Sequence, residues 1–123
     1  MTGGTSAPNS VCTAISEPGW PGARLHRHGY EEWHIQLEGE CECLLDDDVQ
    51  RLGPGDMAYI PSGVPHGFKS IGFGARQLLI SSPAGLFEGF VQEVVAYQSR
   101  PPAPGATQEI TRIAAKYGIE FLA

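Results

Sequence analysis

A chain of 123 residues is long enough for one hydrophobic core and one domain. Its 41% hydrophobic and 18% charged residues are typical of a globular protein, which excludes a disordered tail. The formal net charge of −6 comes without any basic stripe. We therefore expect neither nucleic acid nor an anionic membrane surface as a partner.

The beginning of the chain and its cysteines bear on location. Residues 1–10 are small and polar and lack the charged and apolar regions of a signal peptide, so we expect a flexible leader. No apolar run approaches the roughly 18 residues of a membrane span. Three cysteines, Cys12, Cys41 and Cys43, are too few for a disulfide framework. A cytoplasmic protein is expected.

Short runs of alternating apolar and polar residues dominate residues 11–81, which we predict to form a β-barrel domain. Glycine- and proline-rich turns separate these runs at intervals of roughly 8 to 12 residues, a pattern typical of an antiparallel sandwich or barrel. The candidate strands are Val11–Ser16, Ala23–His28, Trp33–Glu38, Glu40–Leu45, Met57–Ile60, Gly67–Ser70 and Arg76–Ser81.

The hydrophobic period changes in residues 82–123, which we predict to form a helical extension. Ser82 and Pro83 are expected to begin a first helix, whose apolar stripe runs through about Tyr97. Residues 101–105 break it, Thr107 is expected to cap a second short helix, and Gly118 to end that helix. The extension is expected to cover the barrel or a subunit interface. The stripe consists of Leu86, Phe87, Phe90, Val91, Val94 and Val95.

One stretch carries side chains suited to metal binding. His26 and His28 are two apart on a strand and therefore face one side, and a turn beginning at Gly29 brings Glu32 beside them. His66 follows a glycine- and proline-rich turn at the start of another strand. Three imidazoles and one carboxylate suit Fe, Mn, Ni, Co, Cu or Zn. A lone His-x-His pair is weak support, because such pairs are often surface or core histidines.

The spacing of these residues resembles the two motifs of the cupin superfamily. The first motif, His-x-His followed by Glu and Gly, is similar to His26-Arg27-His28, three residues, Glu32, six residues and Gly39. The second is similar to Gly55, five residues, Pro61-Ser62-Gly63, two residues and His66. Two positions depart from the family pattern, since Trp20 stands where a glycine is usual and Ser70 where an asparagine is usual.

The resemblance implies an all-β fold, an antiparallel double-stranded β-helix (a jelly-roll barrel) with one or two short C-terminal helices. It also implies one divalent metal ion held by His26, His28, Glu32 and His66. The segment from Ser82 onward is similar, less specifically, to the C-terminal part of quercetinase-like small cupins.

Three further residues are candidate catalytic groups. His34 lies two positions beyond Glu32, so on a regular strand it faces the same side, either as an acid/base group or as a hydrogen-bonded barrel histidine. Gln36 follows on that face. Tyr30, in the turn between the metal-ligand candidates, is expected at the mouth of the pocket or in solvent.

Other reactive side chains have simpler interpretations. Cys41 and Cys43 share a strand face and are expected to be small core residues rather than a metal or redox pair. The spacing favours Glu32 over Glu31 as the ligand. The acidic residues 46–48 are expected to form a solvated hairpin turn.

The resemblance implies three classes of function for a protein that acts on, or binds, a small molecule. The first, which we slightly favour over the second, is oxygen-dependent oxidation of an enol or catechol-like compound by a dioxygenase-type enzyme. The second is a redox-neutral Lewis-acid cyclase, isomerase or lyase of natural-product biosynthesis, including nitrogen–nitrogen bond formation. The third is a non-catalytic small-molecule-binding protein, which the intact ligand set disfavours.

A homodimer is also expected. Small cupins usually pair, and the apolar stripe from Leu86 to Val95 exceeds what one small barrel needs to cover.

Overall fold

The computed structural model describes residues 9–16, 25–101 and 103–122. Within these ranges the chain forms seven antiparallel strands and two helices, which confirms the predicted fold class. The predicted leader, except for residues 9 and 10, and residues 17–24 lie outside the described ranges. The elements are β1 (Ser10–Ser16), β2 (His26–His28), β3 (Glu31–Leu45), β4 (Asp48–Leu52), β5 (Met57–Ile60), β6 (His66–Ser82), α1 (Leu86–Gln98), α2 (Ala106–Lys116) and β7 (Ile119–Phe121).

Two long strands, β3 and β6, organise the sheet. They pair with each other, β4 and β5 pair with β3, and β1 and β2 pair with β6. Along the first half of β3, Glu32, His34 and Gln36 are buried while the residues between them are partly exposed. The alternation therefore directs these three polar side chains to the inside of the barrel.

The structure corrects the prediction that β3 and β6 are each two strands. The pairing register shifts between Gln36 and Glu40, so the strands bend there without ending. Gly39 has φ +70, and a Cβ at that position would collide with the backbone oxygen of Gly74. Only glycine fits this close approach of the two strands.

Two short strands were not predicted. The hairpin turn at Asp46 and Asp47 leads into β4. Only Leu52 of this strand is buried, and a strand with neither face buried needs no alternation of apolar and polar residues that would reveal it in the sequence. Strand β7 has three residues and pairs with β2. The acidic turn itself lies where it was expected, although Asp48 already belongs to β4.

The helix starts also differ from the prediction. Strand β6 continues to Ser82, so α1 begins at Leu86 behind Gly85, whose backbone N–H donates to the Glu88 carboxylate at 3.2 Å. Helix α2 begins behind Gly105, which places Thr107 inside the helix. Gly118, with φ +74, follows the end of α2 as predicted. No helix in the described part of the chain is long and apolar enough to cross a membrane.

Two apolar clusters hold the molecule together. The first fills the barrel and includes Cys41 and Cys43, as predicted. Burial raises the pKa of Cys41 to about 11 and that of Cys43 to about 12, so both stay neutral thiols at physiological pH. The second, which we call the Tyr30 cluster, joins the helical extension to the barrel; it comprises Tyr30, Ala114, Ile119, Leu86, Phe87, Phe90, Tyr117 and Phe121.

Candidate metal centre

Three imidazole rings meet where β2 lies beside β6. His26 is directly opposite His66 in the register of these strands, and His28 follows on the same side of β2. Their ring centroids are 4.2 Å (His26–His66), 4.7 Å (His28–His66) and 5.7 Å (His26–His28) apart. One ring nitrogen from each lies within 4.8 Å of the other two, so the three histidines can hold a metal ion.

Backbone carbonyls set the protonation of two of these rings. Nδ1 of His28 is 2.9 Å from the Tyr30 carbonyl oxygen, and Nδ1 of His66 is 2.9 Å from the Val64 carbonyl oxygen. A carbonyl oxygen only accepts hydrogen bonds, so each Nδ1 carries the proton. In the neutral rings Nε2 then has a free lone pair, which is the form that binds a metal.

The carboxylate of Glu32 is buried next to these lone pairs. Its Oε1 lies 2.9 Å from Nε2 of His28 and 3.3 Å from Nε2 of His66. Burial acts to raise the pKa of Glu32, and protons on the Nε2 atoms of the neighbouring histidines would lower that pKa below its usual range. Where these atoms present lone pairs instead, a cation has to take the place of the protons to keep the carboxylate ionised. Nε2 of His66 is buried without a hydrogen-bond donor or acceptor in bonding geometry. An ionised carboxylate facing unshared lone pairs fits a cation between them.

His34 lies beside this group. Its Nε2 is 3.5 Å from Oε1 of Glu32, and its ring stacks on Phe68 with centroids 4.1 Å apart. Its Nδ1 is 3.0 Å from Oε1 of Gln77, a residue that sequence reasoning missed. The alternation of β6 could have placed Gln77 on the inner face, but its pairing with Gln36 depends on a register that the bend at Gly39 determines.

The structure places Tyr30 at neither of its two expected positions. Its side chain is 1% exposed and stacks on His28, with ring centroids 3.7 Å apart and an interplanar angle of 5°. Burial, and then the charges of Glu32 and Glu88, raise the pKa of Tyr30 well above its usual range. A hydroxyl that is held neutral in an apolar cluster is poorly suited to proton transfer. The role of the Tyr30 side chain is instead to hold the imidazole ring of His28 in place by stacking on it.

Gln36 is also not free to meet a substrate. The residue is fully buried (0% exposed), and its side-chain nitrogen donates to the carbonyl oxygens of Glu38 (2.9 Å) and Gly39 (3.2 Å). Its side-chain oxygen accepts from Gln77 at 2.8 Å. These contacts use both ends of the Gln36 amide, so Gln36 contributes to the packing around His34 and not to substrate binding.

The C-terminal strand β7 supports the histidine strand β2. Its residues pair with His26, Arg27 and His28 in turn, and the backbone N–H of Leu122 donates to the carbonyl of Leu25 at 2.9 Å. Arg27 also forms an ion pair with Glu120 at 2.8 Å. His26 is therefore paired with β6 on one side and with β7 on the other, and His28 is paired with β7.

Comparisons with known proteins identify the family and several relatives of this chain. A family model described as "Cupin domain" matches residues 13–80. Oxalate decarboxylase OxdC of Bacillus subtilis is 29% identical over 106 residues, covering 80% of this chain and 26% of that protein. Dimethylsulfoniopropionate lyase DddQ of Ruegeria pomeroyi is 46% identical over 43 residues, covering 34% of this chain and 21% of that protein. The chain thus spans about a quarter or less of the length of these curated relatives.

Solved structures of the same two proteins share the fold. A variant of the Bacillus subtilis oxalate decarboxylase has a TM-score of 0.60 at 26% identity, covering 66% of this chain and 22% of that one. The lyase DddQ from Ruegeria pomeroyi has a TM-score of 0.58 at 27% identity, covering 65% of this chain and 46% of that one.

Proposed function

This chain belongs to the cupin family, and on that basis we propose that it is an enzyme with one divalent metal ion held by His26, His28, Glu32 and His66. Three imidazole nitrogens that lie close together, with the carboxylate of Glu32 beside two of them, support this ligand set. Such a mixture of nitrogen and oxygen donors suits Fe, Mn, Ni, Co, Cu or Zn. Four ligands leave about two positions of an octahedral ion for a substrate.

The charge of the centre indicates the class of substrate. Three neutral ligands and one carboxylate leave a divalent ion with a net charge of about +1, which favours an anionic oxygen ligand. The two curated relatives are named for oxalate and dimethylsulfoniopropionate, both of which carry a carboxylate. We infer a small organic acid or an enolisable carbonyl compound as the substrate.

The position of His34 carries the proposal for the reaction. A divalent ion bound in this site would supply Lewis-acid polarisation of a substrate oxygen. His34 takes a proton from the substrate at Nε2, and the resulting imidazolium is stabilised by Glu32, whose Oε1 lies 3.5 Å away. Phe68, stacked on the ring, limits the access of water to it.

We propose redox-neutral chemistry: a lyase, isomerase or cyclase reaction, including one in natural-product biosynthesis. The oxygen-dependent oxidation of an enol or catechol, which the sequence ranked slightly ahead, would also use a base to remove the hydroxyl proton, so His34 does not separate the two enzyme alternatives. Two curated relatives are named a decarboxylase and a lyase, which supports the redox-neutral alternative. The placement of His34 supports both enzyme alternatives over a purely binding protein, which has no use for a base there.

Metal content tests the proposed centre. Elemental analysis of the purified chain should find about one transition-metal ion per molecule, and a His28→Ala/His66→Ala double variant should lose it because two of the buried nitrogen donors are gone. The matched control is His34→Ala, which should retain the metal, since His34 is not among the proposed ligands. Full occupancy in the double variant would contradict the site.

The need for oxygen tests the reaction class. Small carboxylates and enolisable carbonyl compounds are incubated with the metal-loaded enzyme in air and in an anaerobic chamber. We expect equal turnover in both, and a loss of kcat of about 10²–10⁴-fold in His34→Ala with unchanged metal content. Turnover that stops without oxygen would restore the dioxygenase alternative.

A further inference from the structure

A row of side-chain amides connects His34 to the backbone at the Gly39 bend. Nδ1 of His34 lies 3.0 Å from Oε1 of Gln77, and Nε2 of Gln77 lies 2.8 Å from Oε1 of Gln36. Nε2 of Gln36 lies 2.9 Å and 3.2 Å from the carbonyl oxygens of Glu38 and Gly39. All three links have normal hydrogen-bond lengths.

The backbone end of this row determines the orientation of every amide in it. The two carbonyl oxygens only accept, so the NH₂ group of Gln36 must face them and its oxygen must face the other way. That oxygen accepts from Nε2 of Gln77 and from the thiol of Cys41 at 3.3 Å. Nε2 of Gln77 is also 3.2 Å from Sγ of Cys41. The amide oxygen of Gln77 is therefore left to face His34.

An amide oxygen facing Nδ1 requires a proton on that nitrogen. If Nδ1 carried a lone pair instead, two acceptors would face each other at 3.0 Å in a partly buried site. The competing arrangement, with the proton on Nε2 donating to Glu32, has a longer separation of 3.5 Å, at the limit of a hydrogen bond. The shorter link to Gln77 favours the proton on Nδ1.

We propose that Gln77, itself oriented by Gln36, is a positioning residue that holds neutral His34 in the Nδ1–H tautomer, so that Nε2 presents its lone pair to the substrate. This rests on the proposed function in one respect, the role of His34 as the base. His28 and His66 have the same tautomer imposed by backbone carbonyls, whereas for His34 a side chain imposes it. A base with its proton on Nε2 would have no lone pair there to accept another.

The tautomer is measurable without a substrate. Long-range ¹H–¹⁵N correlation spectra of the zinc-loaded chain, recorded at about pH 8 where a free imidazole is neutral, report which ring nitrogen carries the proton. The chain has four histidines, and the signals that disappear in His34→Asn identify His34. We expect a single Nδ1–H pattern for His34 in the unmodified chain. An Nε2–H pattern, or an averaged mixture, would overturn the proposal.

Two variants of Gln77 separate positioning from simple packing. Gln77→Glu keeps an acceptor for Nδ1–H, and in its protonated form its hydroxyl can still donate to Oε1 of Gln36, so this variant should keep the tautomer. Gln77→Leu removes the acceptor, so the proton should move to Nε2 and donate to Glu32, and kcat should fall about 10–100-fold with little change in KM. An unchanged Nδ1–H tautomer in folded Gln77→Leu would also overturn the proposal. A failure of the proposed function would instead appear as missing metal or missing turnover while the tautomer of the unmodified chain stays as expected.

Discussion

Tyr30 illustrates how a residue outside the ligand set can determine the quality of the site. Its ring lies flat against His28, and its own carbonyl oxygen accepts from Nδ1 of that histidine. The carbonyl fixes which nitrogen of His28 faces the centre, and the ring fixes the plane of the imidazole. Substitution of the Tyr30 side chain removes the ring stacking and leaves the hydrogen bond of the backbone carbonyl in place.

We expect Tyr30→Phe to retain metal affinity and activity, because stacking and packing survive without the hydroxyl. Tyr30→Ala should lower the free energy of unfolding by about 3–5 kcal/mol, since it opens a cavity in the Tyr30 cluster. It should also weaken metal binding about 10–100-fold. Chelator competition and thermal unfolding measure both effects. Inactive but metal-loaded Tyr30→Phe would return the hydroxyl to the list of catalytic candidates.

The residues that could be predicted from the sequence are those whose spacing alone brings them together. His26 and His28 share a face because they are two apart on a strand, and the glycine- and proline-rich turn places His66 at a strand start. Gln77 could not be predicted in this way. Its neighbours Gln36 and His34 lie on another strand, and the pairing becomes known only when the register is known.

At the scale of elements, alternation predicted strands well where one face is buried. It failed for β4, which is almost entirely exposed, and for β7, which is too short to show a period. It also divided β3 at Gly39, because a glycine inside an alternating run resembles a turn. The positions of the helices were predicted from their apolar stripes, while their first residues were not, since β6 extends further than the pattern indicates.

Strand β7 gives a prediction at this scale. Ile119 is buried in the Tyr30 cluster and pairs with His28 across the sheet. Ile119→Ala should cost about 2–4 kcal/mol of stability and loosen β2, so that metal affinity falls together with the melting temperature. Val49→Ala, at an exposed position of β4, is the matched control and should change stability by less than about 0.5 kcal/mol. Equal melting temperatures for the two variants would contradict a supporting role of β7.

At the scale of the whole molecule, we propose a homodimer, but through a different surface from the one the sequence indicated. Leu86, Phe87 and Phe90 of the predicted stripe pack into the Tyr30 cluster. A second apolar surface lies on the outer face of β5, β3, β6 and β1, where Trp33 pairs with Tyr59 and with Ile80, and Ile80 with Val11. On this sheet face Met57 is 57% exposed and Val11 63%. Contiguous apolar area of this kind is typical of a protein interface, and a two-fold axis would bury it against its own copy.

Light scattering at micromolar concentration should give a mass twice that of the 13.2 kDa chain. Met57→Asp introduces a charge into the sheet face and should yield monomers. Val95→Asp, on α1, should remain dimeric although Val95 is 59% exposed. A monomeric unmodified chain would refute the dimer, and dissociation by Val95→Asp alone would return the interface to the helix.

The pairing of β7 with β2 has a consequence for how the protein is made. His26 and His28 are synthesised early, but the strand that flanks them emerges from the ribosome only after both helices. A contact between positions so distant in the chain forms late, because the intervening residues must first be ordered. The growing polypeptide therefore carries its histidines before it can hold them in place. Metal capture is expected to follow synthesis of residues 119–121 rather than to guide the folding of the barrel. The ion available in the cell at that moment would then help to determine which metal the proposed centre holds.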